Sequence, residues 1–164
     1  MTIEELLKVL EMQEEILQFS HFTNGDAWEL GNLIVLEARR RNTPVALKIQ
    51  LNNGQTVFQY DFDGTTLYTE DWVQKKINTV RRMERSSLHL HMLLRQNEKN
   101  LELMGLDSSE CADMGGAFPI RVEEVGVIGV IAVSGPNHVA DHDLLVKSIS
   151  KYLHIDEVPR IRAV

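Results

Sequence analysis

The residue types best suited to chemistry in this sequence gather near the start of the last predicted helix. Asp141, His142 and Asp143 are consecutive, and Ser134-Gly135 ends the apolar segment that precedes them. Histidine titrates near neutral pH and can act as a general acid or base, with a neighbouring aspartate orienting its ring. His142 with Asp141 and Asp143 is therefore the candidate catalytic group.

The same region of the sequence could hold a ligand without reacting with it. Free amides and the dipole at a helix start suit a carboxylate, a phosphate or a propionate group. Paired glycines would let such a ligand approach backbone amides, because glycine has no Cβ. The predicted ligand-binding residues come from this region and the glycine pair before it: Gly115, Gly116, Phe118, Ser134, Gly135 and His142.

Each of these features also has a purely structural explanation. Aspartates are favoured in the first turn of any helix, and His142 falls on the apolar stripe of the last helix, where its ring can be hydrogen-bonded within the protein. The glycine pair can form a strained entry to an edge strand that contains Pro119. The residues alone leave the two explanations open.

Two other nucleophiles are weak candidates. Ser134 lacks the glycine two residues earlier that the nucleophile elbow of hydrolases uses. Cys111 has no neighbour in sequence that would activate its thiol. Neither residue predicts an enzyme.

The histidines do not form a helical metal-binding pattern. His89 and His91 are two residues apart, so on a helix they point to different faces; in a strand they would share one, which keeps a metal or haem role open. The other three outside the candidate site are expected on the surface: His21, His138 and His154. No metal site is predicted.

One predicted helix is basic although the protein is acidic. We interpret this helix face as solvated or subunit-facing, with anion binding as the second explanation. The C-terminal tail, residues 156–164, mixes arginines with apolar residues and could form an arm that contacts other chains. The basic residues of the helix are Lys75, Lys76, Arg81, Arg82 and Arg85.

The first half of the chain predicts two helices and a hairpin. Apolar residues recur at helical spacing over residues 3–17, and a second helix is expected from Asp26 to about Arg41, with Asp26 and Glu29 as a capping box. Alternating residues on both sides of Asn53-Gly54 predict two strands and a tight turn.

The second half predicts two helices, a second hairpin and a last helix. Helical patterns start at about Asp71 and end at about Lys99, with a break at Ser86-Ser87. Residues 118–122 are expected to form an edge strand, residues 127–133 a fully buried strand, and the last helix begins near Val139. Segregated strand pairs with helices between them indicate an α+β fold with an antiparallel sheet, in one domain spanning residues 1–164.

Composition narrows the class of partner. The chain has 164 residues, a formal net charge of −7 and a pI near 5.3, which disfavours nucleic acid as a partner. No apolar run approaches the roughly 20 residues that span a bilayer, and the acidic start is unlike a secretory signal. A single cysteine fits a reducing compartment, so a cytoplasmic location without a membrane partner is expected.

Several segments together resemble a known family. In order along the chain, these segments are Gln55–Phe58, Gly64-Thr65, Trp72–Val80, Ser86-Ser87, Gly115–Ile120, Gly126–Gly129, Val133–Gly135 and Asp141-His142. They resemble the uncharacterised protein family UPF0303, a branch of the haem-degrading-domain superfamily of GlcG-like and HbpS-like proteins. The resemblance covers residues 26–149. It implies a profilin-like α+β fold and homo-oligomers, and in some relatives haem or iron binding.

The leading functional hypothesis is a non-enzymatic or accessory module that binds a small ligand, either haem or a small organic anion. The second hypothesis is a protein-interaction scaffold that uses the basic helix and the tail. The third is an enzyme with His142 as its general acid or base. No cofactor follows from the residues themselves.

Overall fold

Five α-helices and four β-strands make up residues 1–161, the part of the chain that a computed structural model describes. The helices are α1 Ile3–Ile16, α2 Asn24–Arg40, α3 Leu67–Met83, α4 Ser87–Gln96 and α5 His138–Leu153. The strands are β1 Ala46–Leu51, β2 Thr56–Asp61, β3 Ala117–Val122 and β4 Gly126–Ser134. This order of two helices, hairpin, two helices, hairpin and helix confirms the α+β prediction.

The four strands form one antiparallel sheet in the order β2-β1-β4-β3. Each hairpin supplies one inner and one outer strand, and the sheet is completed by the pairing of β1 with β4. Pro119 lies in β3, at the edge of the sheet, as its missing N–H group requires. The predicted positions of β3 and β4 are thus confirmed.

Helices cover both faces of the sheet, which explains why β4 is apolar on both sides. Ile131 and Val133 face the core formed with α2 and α5, while Val130 and Ala132 pack with α3. Three of the four sheet residues in the α3 cluster are alanines, Ala46, Ala117 and Ala132, and the fourth is Val130. These small side chains let α3 lie close to the strands, so the side chains of α3 that face the sheet are deeply buried.

Two helix starts differ from the prediction. Thr23 caps α2: its hydroxyl accepts a hydrogen bond from the Asp26 amide, and the Asp26 carboxylate accepts one from the Thr23 amide. The predicted capping box of Asp26 with Glu29 is therefore wrong by one turn, since Asp26 is the third residue of the helix. Helix α3 begins at Leu67, one turn before the predicted Asp71.

The described part of the C-terminal tail packs against other elements of the same chain. The Gln13 side-chain amide donates to the Pro159 carbonyl, and Arg160 Nε donates to Asp143 at 2.9 Å. Residues 162–164 of the predicted arm lie outside the described residues. Within residues 1–161, none of the helices combines the length and the apolar character that crossing a membrane would need.

Candidate ligand-binding site

A cavity of about 430 Å³ lies where the first turns of α3 meet the loop between β4 and α5. The loop follows the sheet's buried central strand, so the cavity opens at the end of that strand. Helix α3, residue 114 and the segment 134–141 line it. The lining residues are Tyr68, Thr69, Trp72, Lys76, Met114, Ser134, Gly135, Pro136, Asn137, His138 and Asp141.

Lys76 and Asp141 form a buried ion pair in the cavity wall. Lys76 Nζ donates to the Val133 carbonyl at 3.0 Å and lies 3.5 Å from Asp141 Oδ2. The Gly135 amide donates to the same carboxylate oxygen at 2.9 Å. Burial lowers the pKa of Lys76 and raises that of Asp141, and the attraction between the two opposes both shifts. A carbonyl acceptor on the amine and an amide donor on the carboxylate stabilise the ionised pair.

The burial of Lys76 corrects the interpretation of the basic helix as a solvated face. Lys76 is 2% exposed and lies beside Val73, Ile77 and Val80, the apolar residues that α3 packs on the sheet. Its ammonium is paired with the Val133 carbonyl and Asp141 inside the protein, so the charge does not contribute to an outer basic surface. Helical spacing alone places Lys76 on the apolar face of α3. The other basic residues close to it in sequence suggest a basic face instead.

Ser134 and Gly135 line the cavity, whereas the predicted glycine pair serves the packing of the chain. A Cβ on Gly115 would lie 2.5 Å from the His138 carbonyl oxygen. Gly116 has a φ of 121°, and a Cβ there would lie 2.5 Å from the Val133 carbonyl oxygen. The structural explanation therefore accounts for both glycines. Phe118 is fully buried in the core.

Three of the amides near the start of α5 are already bonded within the chain. The Asn137 side-chain oxygen accepts from the amides of Val139 and Ala140, each at 3.0 Å. The Gly135 amide is held by Asp141. The helix cap and the ion pair use these three amides, so the three do not contribute to an anion cradle.

His142 is buried, as predicted, but it lies outside the cavity. Its ring is 1% exposed, and Nε2 lies 2.7 Å from Gln13 Oε1 of α1. Gln13 uses its amide nitrogen on the Pro159 carbonyl, so its oxygen accepts and His142 carries its proton on Nε2. Burial lowers the pKa of His142 to about 4. The ring is therefore neutral and enclosed at pH 7.

The three consecutive residues of the candidate catalytic group point in three directions. Asp141 faces the cavity, His142 faces α1, and Asp143 accepts from Arg41 and Arg160 on the tail side. Residues one apart on a helix diverge by 100°, so neither aspartate orients the His142 ring. The predicted acid–base arrangement is not formed.

His138 is the histidine that lines the cavity, and the expectation that it is a surface residue is wrong. The ring is half-buried, and Nδ1 accepts a hydrogen bond from the Gly115 amide at 2.9 Å. The neutral ring consequently carries its proton on Nε2. His138 directly follows Asn137, the cap residue of α5. This position in the sequence could have indicated that its ring lies beside the loop before the helix.

A second histidine and an aspartate lie behind His138. The rings of His91 and His138 are 4.9 Å apart, and His91 Nδ1 lies 3.5 Å from Asp113. Burial, His91 and Lys76 lower the pKa of His138, while Asp113 opposes the shift. His89 points elsewhere, to Glu14 of α1, which confirms that His89 and His91 occupy different faces. Over residues 1–161, no three His, Cys, Asp or Glu side chains are grouped to hold a metal ion.

Comparisons with known proteins agree with this architecture. The family described as "Haem degrading protein HbpS-like" matches residues 22–150. A UPF0303 protein of Serratia proteamaculans (strain 568) is 40% identical over 154 residues, which cover 93% of this chain and 95% of the relative. The resemblance to UPF0303 proteins is therefore confirmed.

Two solved structures are similar in fold. The crystal structure of the Ybr137w protein has a TM-score of 0.83 and 30% identity, over 90% of this chain and 87% of that one. The crystal structure of a PduOC:heme complex has a TM-score of 0.67 and 20% identity, over 79% and 93% respectively. At 20% identity, the second comparison supports the shared fold alone.

Proposed function

The chain is a UPF0303 protein of the HbpS-like family, and we propose that it is a non-enzymatic or accessory protein that binds a small organic anion. The observation that carries this proposal is the Lys76 ammonium, 2% exposed, in the wall of the cavity between α3 and α5. A buried cation attracts a carboxylate more strongly than one in bulk solvent.

The hydrogen-bonding capacity of Lys76 supports a ligand there. An ammonium has three N–H donors, and the Val133 carbonyl and Asp141 account for two of them. A ligand carboxylate would accept the third in a charge-assisted hydrogen bond. Asp141 partly neutralises Lys76, so the ligand also needs neutral donors. The Ser134 hydroxyl and the Asn137 side-chain amide, both in the cavity lining, are suited to that role.

Isothermal titration calorimetry with acetate, succinate and phenylacetate, and separately with the uncharged amide of each, tests the proposal. At least one carboxylate should bind, and its amide should bind about tenfold more weakly, because a charge-assisted bond is replaced by a neutral one. The Lys76→Met/Asp141→Asn double variant should abolish the difference, since it removes both charges and leaves neither one buried alone.

Lys147→Met is the matched control for that double variant. Lys147 lies on α5 and lines a separate surface depression formed with the tail, so its removal should leave carboxylate binding unchanged. Binding that is absent for every carboxylate, or equal in the double variant, would overturn the proposal.

Haem is the second candidate, because one protein of similar fold was crystallised with heme. The cavity does not fit haem held by His138. A histidine that ligates iron uses a bare nitrogen and carries its proton on the other one. In His138 the nitrogen without a proton, Nδ1, already accepts a hydrogen bond from the Gly115 amide. The other nitrogen, Nε2, carries the proton and therefore cannot bind iron. Met114 is a thioether in the lining that iron could also use.

A haem titration followed by absorbance checks this disagreement. The spectrum of haem added to the wild-type protein should match the spectrum with the His138→Ala variant. A Soret band that forms with the wild type and is lost in His138→Ala would show that His138 abandons Gly115 to ligate iron, and the preference for an organic anion would then fail.

The structure offers less support for the other two hypotheses. A general acid or base must reach its substrate, and the His142 ring is enclosed and bonded to Gln13. The scaffold hypothesis uses the basic helix and the tail to contact other chains, whereas Lys76 is buried and the tail as far as Ile161 packs on α1 and α5.

We also propose that the protein forms homo-oligomers in the cytoplasm. Several large apolar side chains are more than half exposed, which favours burial against another copy of the chain. These side chains are Trp28, Leu36 and Leu67. Cys111 is a free, buried thiol, which supports a reducing compartment.

A further inference from the structure

The α3 wall of the cavity changes from aromatic to cationic along one line. Tyr68, Trp72 and Lys76 are four residues apart, so they lie one above another on the same helix face. Tyr68 is 69% exposed, Trp72 is half-buried and Lys76 is 2% exposed. This order runs from the mouth of the cavity to its deepest cation.

The indole of Trp72 is held in place by its neighbours. Tyr68 and Trp72 pack edge to face, with ring centroids 6.4 Å apart and planes at 87°. Lys75 Nζ lies 5.1 Å from the centre of the Trp72 ring, and Lys75 is not part of the cavity lining. The ring thus has two partners on α3 itself while it still contributes to the cavity wall. An aromatic side chain that already has partners loses less entropy when a ligand packs on it.

We propose that the ligand is an aromatic carboxylate, with its ring packed against Trp72 and its carboxylate at Lys76. This inference rests on the proposed anion-binding function and names the class of anion. The remaining apolar lining residues, Met114 and Pro136, come from other segments of the chain. A thioether makes favourable contacts with aromatic rings, so Met114 suits an aromatic ligand.

The spacing along α3 sets the size of the ligand. Residues four apart are separated by about 6 Å along a helix axis. We therefore choose ligands that carry one or two carbons between the ring and the carboxylate. Phenylacetate and 3-phenylpropionate meet this requirement better than benzoate, in which the carboxylate is attached directly to the ring.

Titration of the full-length protein with four matched probes tests the inference: acetate, phenylacetate, cyclohexylacetate and 2-phenylacetamide. Phenylacetate should bind about tenfold more tightly than acetate, from added apolar and aromatic contact. It should also bind more tightly than cyclohexylacetate, which has similar bulk but no π face. The amide should bind about tenfold more weakly than phenylacetate, since it lacks the charge.

The outcomes separate the inference from the function on which it rests. If acetate and phenylacetate bind equally, or cyclohexylacetate binds as tightly as phenylacetate, the aromatic specificity is wrong and anion binding stands. If none of the carboxylates binds, or the amide binds as well as phenylacetate, the proposed function itself fails.

A substitution at Trp72 locates the ring of the ligand. Trp72→Leu should weaken phenylacetate binding about tenfold and change acetate binding less than twofold, while Trp72→Phe should lie between the wild type and Trp72→Leu. Trp28→Phe is the matched control, because Trp28 is 64% exposed on α2 and does not line the cavity. In Trp28→Phe, Trp72 is the only tryptophan, so phenylacetate should change its fluorescence. An unchanged affinity in Trp72→Leu, or unchanged fluorescence under saturating phenylacetate, would overturn the inference.

Discussion

At the scale of single residues, the Lys76–Asp141 pair is the feature on which the proposed function depends. A buried charge without a partner is costly, and here each ion has a partner as well as a backbone hydrogen bond. Removing Lys76 alone would leave Asp141 buried and unpaired, at a cost of about 3–5 kcal/mol. The pair therefore stabilises the loop after β4 in the position that shapes the cavity.

The histidines show how far residue patterns predict a site. The apolar spacing of α5 correctly placed His142 inside the protein. It could not show that Gln13, far away in sequence, accepts a hydrogen bond from the ring, or that the cavity lies on a different side of α5. His138 was missed because its contact with Gly115 depends on the approach of the chain before β3.

Stability should depend on pH through His142. Burial lowers its pKa from the usual 6.5 to about 4, so between these values the unfolded chain binds a proton that the folded chain does not. The free energy of unfolding should therefore fall as the pH drops below 6.5, by about 2 to 3 kcal/mol at pH 4.5 from this residue.

Urea unfolding of the wild type and His142→Gln at pH 7 and pH 4.5 isolates that contribution, because the other titrating groups are common to both proteins. The stability advantage of the wild type should shrink by that amount at the lower pH. An advantage that is the same at both pH values would show that the ring does not remain neutral in the folded protein.

At the scale of elements, the two hairpins were predictable because their signals are local. Asn53-Gly54 marks the first turn, and the continuous apolar run of β4 marks a central strand. The entry to β3 was less predictable. Gly116 needs a positive φ and faces the Val133 carbonyl, and both requirements arise only when β3 pairs with β4.

Gly116→Ala should destabilise the fold more than Gly126→Ala. Both glycines have a positive φ near 120°, so each substitution adds about 1–3 kcal/mol of backbone strain. At Gly126 no atom lies within 4 Å of an added Cβ, whereas at Gly116 the Val133 carbonyl oxygen lies 2.5 Å away. Thermal unfolding of the two variants should separate the contact from the strain, and equal losses of stability would contradict this account of the β3 entry.

At the scale of the whole molecule, the fold places the cavity where three segments meet. Helix α3 supplies one wall, the loop after β4 supplies another, and the chain before β3 closes the site with Met114. The α+β class followed from the order of elements. The cavity did not, because Trp72 and Lys76 are more than fifty residues from Ser134 in sequence.

Native mass spectrometry at micromolar concentration tests the proposed self-association. The exposed apolar side chains on α2 and at the start of α3 should be covered in an assembly, so we expect a mass that is a multiple of the 18.7 kDa chain. A spectrum that contains only the monomer would remove self-association from the account.

The most direct test of the central claim is a crystal structure of the protein grown with phenylacetate. Anion binding at the buried ammonium predicts electron density for the ligand between α3 and the loop after β4, with a carboxylate oxygen about 2.8 Å from Lys76 Nζ. Phenylacetate bound elsewhere, or bound in the cavity with its carboxylate turned away from Lys76 towards solvent, would contradict the claim.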